Sequence, residues 1–187
     1  GNNPRGYPAM SHTGISAMLG LTLAKECGVD VDAETFQRGL AYLERTGCPI
    51  GVIIYGDCFR DTPFLIDPEQ QMAGKLNTAN GKVAEAAVLY SLLGDKRSAY
   101  INSQISTHSW YSTYGGHGGH FWDVYWTPLG AAVHGETAYK YFMKNHRWFR
   151  ECNRMSDGGF SEGAGSGLAL VVPRRRPELG DHQPALE

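Results

Sequence analysis

Two histidines three residues apart, His117 and His120, stand among the glycines Gly115, Gly116, Gly118 and Gly119, and Asp123 follows three residues later. Two imidazoles and a carboxylate at that spacing are a ligand set for one divalent transition metal. The glycine pairs favour a tightly turned loop over a helix that would fix ligand direction, so no metal or other cofactor is strongly implied. The ordinary reading is that the glycines let the backbone approach an aromatic cluster beside hydrogen-bonded histidines. That cluster is dense: His108, Trp110, Tyr111, Tyr114, Trp122, Tyr125 and Trp126 share the same stretch. Flat aromatic faces suit sugar rings, and imidazoles titrate where a general base is useful. On this reading His108, Tyr114, His117, His120 and Asp123 are the catalytic candidates, while Trp110, Trp122 and Trp126 hold the ligand. Asp157 is a further ligand-binding candidate, although its ordinary role is to accept backbone N–H bonds within a glycine turn. Glycoside hydrolysis would need two carboxylates across a cleft, and Asp57, Asp61, Asp123, Asp157 and Glu162 are the pool from which sequence alone selects none.

The elements that must position these groups read as helical pairs. Apolar residues at Ile15, Met18, Leu19 and Leu23 have helical spacing, and Gly28 is placed to end that helix. Asp30 and Asp32 are possible N-caps for a second helix, Ala33 to Arg45, which stops before Gly47-Cys48-Pro49. A second pair opens at Asn80-Gly81, runs through Val83, Ala87 and Tyr90 to Gly94, and continues from Asp95 into a helix from Lys96 to Ile105. A third opens at Thr127-Pro128, a helix-start signal, and carries Leu129 through Met143 with His134 and Glu136 inside it. A short helix through residues 146–150 follows. In each pair one helix is rich in Ala, Gly and Ser and its partner is more charged, which implies two packed layers. Residues 48–79, with a short candidate strand at 51–56, and residues 107–126 read as long irregular loops, where sites are commonly found. Asn77, Asn80 and Lys82 read as capping and surface residues.

Composition narrows the function classes. A net charge of -2 over 187 residues provides no field for nucleic acid, and no stretch reaches the roughly 20 apolar residues of a membrane helix. The one basic run, Arg174 to Arg176, lies in a segment that reads as a solvated tail. The four cysteines, Cys27, Cys48, Cys58 and Cys152, form no CxxC pair, so free thiols are expected, with a Cys48–Cys58 bridge as the alternative. Gly74-Lys75 and Gly81-Lys82 lack the rest of a phosphate-binding loop. The chain opens on Gly without a leader pattern, as a piece cut from a longer polypeptide would, and the compartment stays open.

Arg154-Met155-Ser156-Asp157-Gly158-Gly159-Phe160-Ser161, an Asp-Gly-Gly-Phe turn after a helical hairpin, resembles the repeat signature of the terpenoid cyclase and protein prenyltransferase-like α/α toroids. Gly118-Gly119-His120-Phe121-Trp122 is a weaker echo. The resemblance implies an all-α fold in which helical hairpins form a partial or complete toroid, over residues 1–167, with a partly tail-like segment over 168–187. The family chemistries do not carry over: Asp30-Val31-Asp32-Ala33 lacks the carboxylates of the cyclase acid motif, and neither the zinc-binding Asp–Cys pair nor the thioester motif is present. The reading is therefore a segment of a larger bacterial toroid protein that binds or processes a ligand at the 108–126 stretch, with residues 57–61 nearby. One alternative is a structural module that packs against the rest of its polypeptide or a second copy. Another is a carbohydrate-active domain, since other α/α toroids include glycosidases and polysaccharide lyases. Polar cavity-facing positions would favour a site; Ala, Leu and Gly would favour the structural role.

Overall fold

A computed structural model of the chain describes residues 11–47, 53, 81–108, 120–152 and 154–157. Among these the protein is mainly helical: α1 (Ser11–Glu26), α2 (Ala33–Thr46), α3 (residues 81–92), α4 (Lys96–His108), α5 (His120–Val133) and α6 (Glu136–Cys152). The expected strand at 51–56 is represented among the described residues only by Ile53, which makes an isolated antiparallel bridge to Gly47.

Two of the hairpins turn by the same device. α1 ends at Gly28, whose φ of 79° lets its N–H reach Lys25 O while the N–H of Val29 reaches back to Ala24 O. At the end of α3, Gly94 has φ 78°, its N–H bonds Ser91 O, and the N–H of Asp95 bonds Tyr90 O. This pairing satisfies carbonyls that a helix end otherwise leaves open. The following helices are capped by aspartates: Asp32 accepts from the N–H of Thr35 at 2.7 Å, and Asp95 accepts from that of Ser98 at 3.0 Å.

The third pair departs from its expected boundaries. α5 begins at His120, seven residues before Thr127-Pro128, so residues 120–126 are helical rather than loop. Pro128 sits inside the helix and supplies no N–H to the preceding turn; beside it, Thr127 Oγ1 donates to Asp123 O at 2.7 Å. Burial of Val124, Thr127 and Ala131 holds the helix through the proline. α5 then stops at Val133, because Gly135 has φ 112°, and α6 runs unbroken from Glu136 to Cys152. His134 and Glu136 therefore flank a turn. His134 is exposed against the Tyr100 ring, and Glu136 pairs with Lys140 at 2.6 Å.

Close contacts order the helices. Gly81 at the start of α3 bonds Asp123 near the start of α5, while Ala84 faces Gly130 further along, so α3 and α5 run parallel. His12 lies against Trp122, and Ser16 meets Glu85, so α1 runs the same way. α2 packs on α1, and α4 and α6 pack on α5 and touch each other. The core joins α1, α2 and α3 through Ile15, Met18, Phe36, Leu43, Val83 and Leu89.

The α3–α5 crossing depends on a missing side chain. A Cβ at Gly130 would lie 2.8 Å from Ala84 Cα, a backbone clash, whereas one at Gly20 on α1 would meet nothing within 4 Å. Gly130→Ala is expected to destabilise the fold by about 1–3 kcal/mol. Gly20→Ala is expected to stabilise it by about 0.5–1 kcal/mol. Urea unfolding of both variants checks the contrast; equal midpoints would refute the close-approach account.

Candidate functional site

The parallel run of α1, α3 and α5 brings their N-terminal turns to one end, and the polar groups buried there form the candidate site. On α3, Glu85 is fully buried in the run Val83-Ala84-Glu85-Ala86-Ala87. Its Oε1 lies 2.6 Å from Ser16 Oγ, and Ser16 Oγ also lies 3.0 Å from His12 O, one turn back on α1. A hydroxyl has one proton to give. Ser16 donates it to Glu85 Oε1 or to the His12 carbonyl; a protonated Glu85 can donate to Ser16 in turn and leave that proton for His12. Burial pushes the Glu85 pKa up from 4.5 to about 7, and the Ser16 and Trp122 contacts, which favour the carboxylate, oppose it. The indole N–H of Trp122 is near enough to favour the charged form, yet neither it nor Glu85 Oε2 attains hydrogen-bond geometry.

Asp123 completes the junction from α5. It is 6% exposed, and its Oδ1 accepts the Gly81 N–H at 2.8 Å. Burial raises its pKa from 3.8 to about 6, with the Gly81 bond and the positive charge of Lys82 pulling the other way. Lys82, expected on the surface, is 4% exposed here, because the first turn of α3 lies wholly inside. A Cβ on Gly81 would come within 2.9 Å of both Asp123 Cα and Trp122 Cδ1, so this close approach also relies on glycine.

The expected site residues divide into three groups. Asp123 and Trp122 are at the junction, where the edge of the His12 ring meets Trp122 at 5.8 Å between centroids; Trp126 and Tyr125 extend the aromatic row at 6.1 and 5.1 Å steps. His108 is elsewhere, exposed at the end of α4 with its ring 5.6 Å from Tyr141 on α6, and Asp157 is exposed in a turn beyond α6. Trp110, Tyr114 and His117 lie outside the described residues, as do Tyr111, Asp57, Asp61, Glu162, Cys48, Cys58 and residues 158–187; His120 opens α5, its side chain outside them too. Among the described residues, no group of three or more His, Cys, Asp or Glu side chains is arranged to hold a metal ion, and Asp123 Oδ1 is already engaged by Gly81. None of their helices is long and apolar enough to cross a membrane. Sequence reading missed Glu85, Ser16 and His12. The available signal was one acid inside an otherwise apolar helical run.

Fold and junction together define a mainly helical domain of paired helices whose N-terminal turns enclose buried carboxylates. The chain belongs to the family described as Domain of unknown function (DUF6288), which it matches over residues 2–167. No curated protein and no solved structure matches it.

The buried carboxylates carry a pH signature. Glu85 holds its proton in the folded chain up to about pH 7, whereas the unfolded chain releases it near 4.5. The native state therefore binds more protons between those values, so stability is greatest below that window, falls as pH rises through it, and levels off above. The Glu85 contribution is on the order of 3 kcal/mol. Asp123 acts in the same direction between 3.8 and about 6. Glu85→Gln, which mimics the protonated acid, should flatten most of the fall and leave the variant more stable than wild type at pH 8. Denaturant unfolding at pH 4.5, 6 and 8 reads this out; a Glu85→Gln variant whose stability changes with pH as wild type does would exclude a protonated Glu85.

Proposed function

We propose that the chain is an α/α-toroid-like segment of a larger bacterial protein, binding or processing a ligand where α1, α3 and α5 begin. One observation carries the reading: the partly exposed Trp122, from which Trp126 and Tyr125 continue a row of rings along α5, adjoins two buried carboxylates whose pKa values burial raises to about 7 and 6. Partly exposed aromatic faces suit oligosaccharides, whose rings stack on them by their apolar sides. A proton held near neutral pH is also what a general acid requires. The parallel run of α1, α3 and α5, with α2 packed on α1 and with α4 and α6 on α5, supports the toroid arrangement.

A second reading rests on the other lining residues. Val83, Ala84, Ala86, Ala87 and Leu89 make α3 largely small and apolar, and Leu23, Val29 and Leu92 are exposed at its far end and that of α1. This suits a structural segment that packs against the rest of a longer polypeptide or another copy.

Tryptophan fluorescence during titration with neutral and uronic-acid oligosaccharides tests the first reading. Saturable quenching is expected, weakened about tenfold or more by Trp126→Ala, with a reducing-end assay reporting any cleavage. No response to any sugar, together with concentration-dependent self-association in sedimentation, would replace the first reading by the second.

A further inference from the structure

Away from the junction, α2, α3 and α4, together with Gly47 and Ile53, line an open cleft of about 560 Å³. That volume lies in the range of small-molecule sites. Its apolar wall is made by Leu40, Leu43, Ile53, Leu93 and Ile101. Tyr90 faces into it, and its phenol pKa is raised first by burial, then by the negative charges of Asp95 and Glu44. Two carboxylates thus act on one hydroxyl from α2 and from the start of α4. Arg97, also lining the cleft, offsets one of them, so these three groups sum to -1.

Asn102 supplies an independent observation. It is 4% exposed and lines the cleft; its Nδ2 donates to Ser98 O at 2.8 Å, while its Oδ1 has no hydrogen-bond partner. A buried acceptor left without a donor costs about 1–3 kcal/mol, which a donor entering the cleft would recover. Asp95 is partly committed, since its Oδ1 caps the N–H of Ser98. Glu44 and the Tyr90 hydroxyl then face a ligand beside an aliphatic wall, with Asn102 Oδ1 an unpaired buried acceptor among the lining residues.

We propose that this cleft binds a primary alkylammonium ion, whose ammonium donates to Asn102 Oδ1 and the Glu44 carboxylate while its chain lies along Leu43, Leu93 and Ile101. An ammonium offers three donors and no acceptor, matching a pocket with a surplus of acceptors and net negative charge. A carboxylate of the same length meets repulsion at Glu44 and Asp95, and an alcohol has one donor and no charge.

The test titrates hexylamine, 1-hexanol and hexanoate into the full ¹⁵N-labelled chain. Hexylamine is expected to give saturable amide shifts centred on Leu43, Leu93 and Ile101, hexanol weaker binding, and hexanoate none at those positions. Glu44→Gln, an exposed substitution whose folding the same spectrum verifies, should weaken hexylamine about tenfold. Equal binding of hexanol and hexylamine, no saturable shift from hexylamine, or an unchanged affinity in Glu44→Gln would overturn the proposal. None of these outcomes bears on the oligosaccharide reading, which concerns the other end of α3.

Discussion

The packing of α3 between α1 and α5 is the constraint on which the other features depend. Residues 81–87 are all buried, and the crossing is close enough that Gly130 abuts the backbone of Ala84. At that distance neither helix has room for a larger side chain at the contact, and water is excluded along the seam. The short turns closed by Gly28 and Gly94 return α2 and α4 against this centre. Burial of Met18, Leu43, Val83 and Leu89 then supplies the hydrophobic stabilisation that isolated helices of these lengths lack.

Close packing also decides the electrostatics. A carboxylate removed from water must be paired, hydrogen-bonded or protonated. Asp123 takes the second course through the Gly81 N–H, with Lys82 nearby in charge. Glu85 has Ser16 and Trp122 beside it, and in both acids burial outweighs these contacts and raises the pKa. The hydrogen bond between Ser16 Oγ and Glu85 Oε1 ties α3 to α1, and burial alone raises the carboxyl pKa against it. The same exclusion of water that consolidates the junction therefore makes it responsive near neutral pH.

Local chemistry was legible wherever neighbours in sequence settle it. Gly28 and Gly94 end helices because a left-handed residue closes the last turn, and Asp32 and Asp95 start the next because a carboxylate reaches two or three residues along. Helical periodicity identified α1 to α4 within a few residues. It failed at Thr127-Pro128, where a start signal sits inside a helix: the aromatic residues before it gain more by packing as another two turns than the proline costs. It failed again at His134-Gly135, read as interior, where a positive φ breaks the helix.

The site was less legible than the fold for the same reason. The His and aromatic residues of the 108–126 stretch announce themselves by type, yet the structure sends His108 to the α4–α6 side and Trp122, Asp123 and Trp126 to the junction. Glu85 and Lys82 look like ordinary helical charges, because nothing in a helix's own sequence states that all its faces are covered. The starts and ends of the helices in two hairpins follow from local order along the chain, because they rest on bonds between residues three to five apart. Which acids lose water, and which lie together, follows from packing alone, because desolvation depends on neighbours such as Ser16 and Glu85, 69 positions apart in the chain.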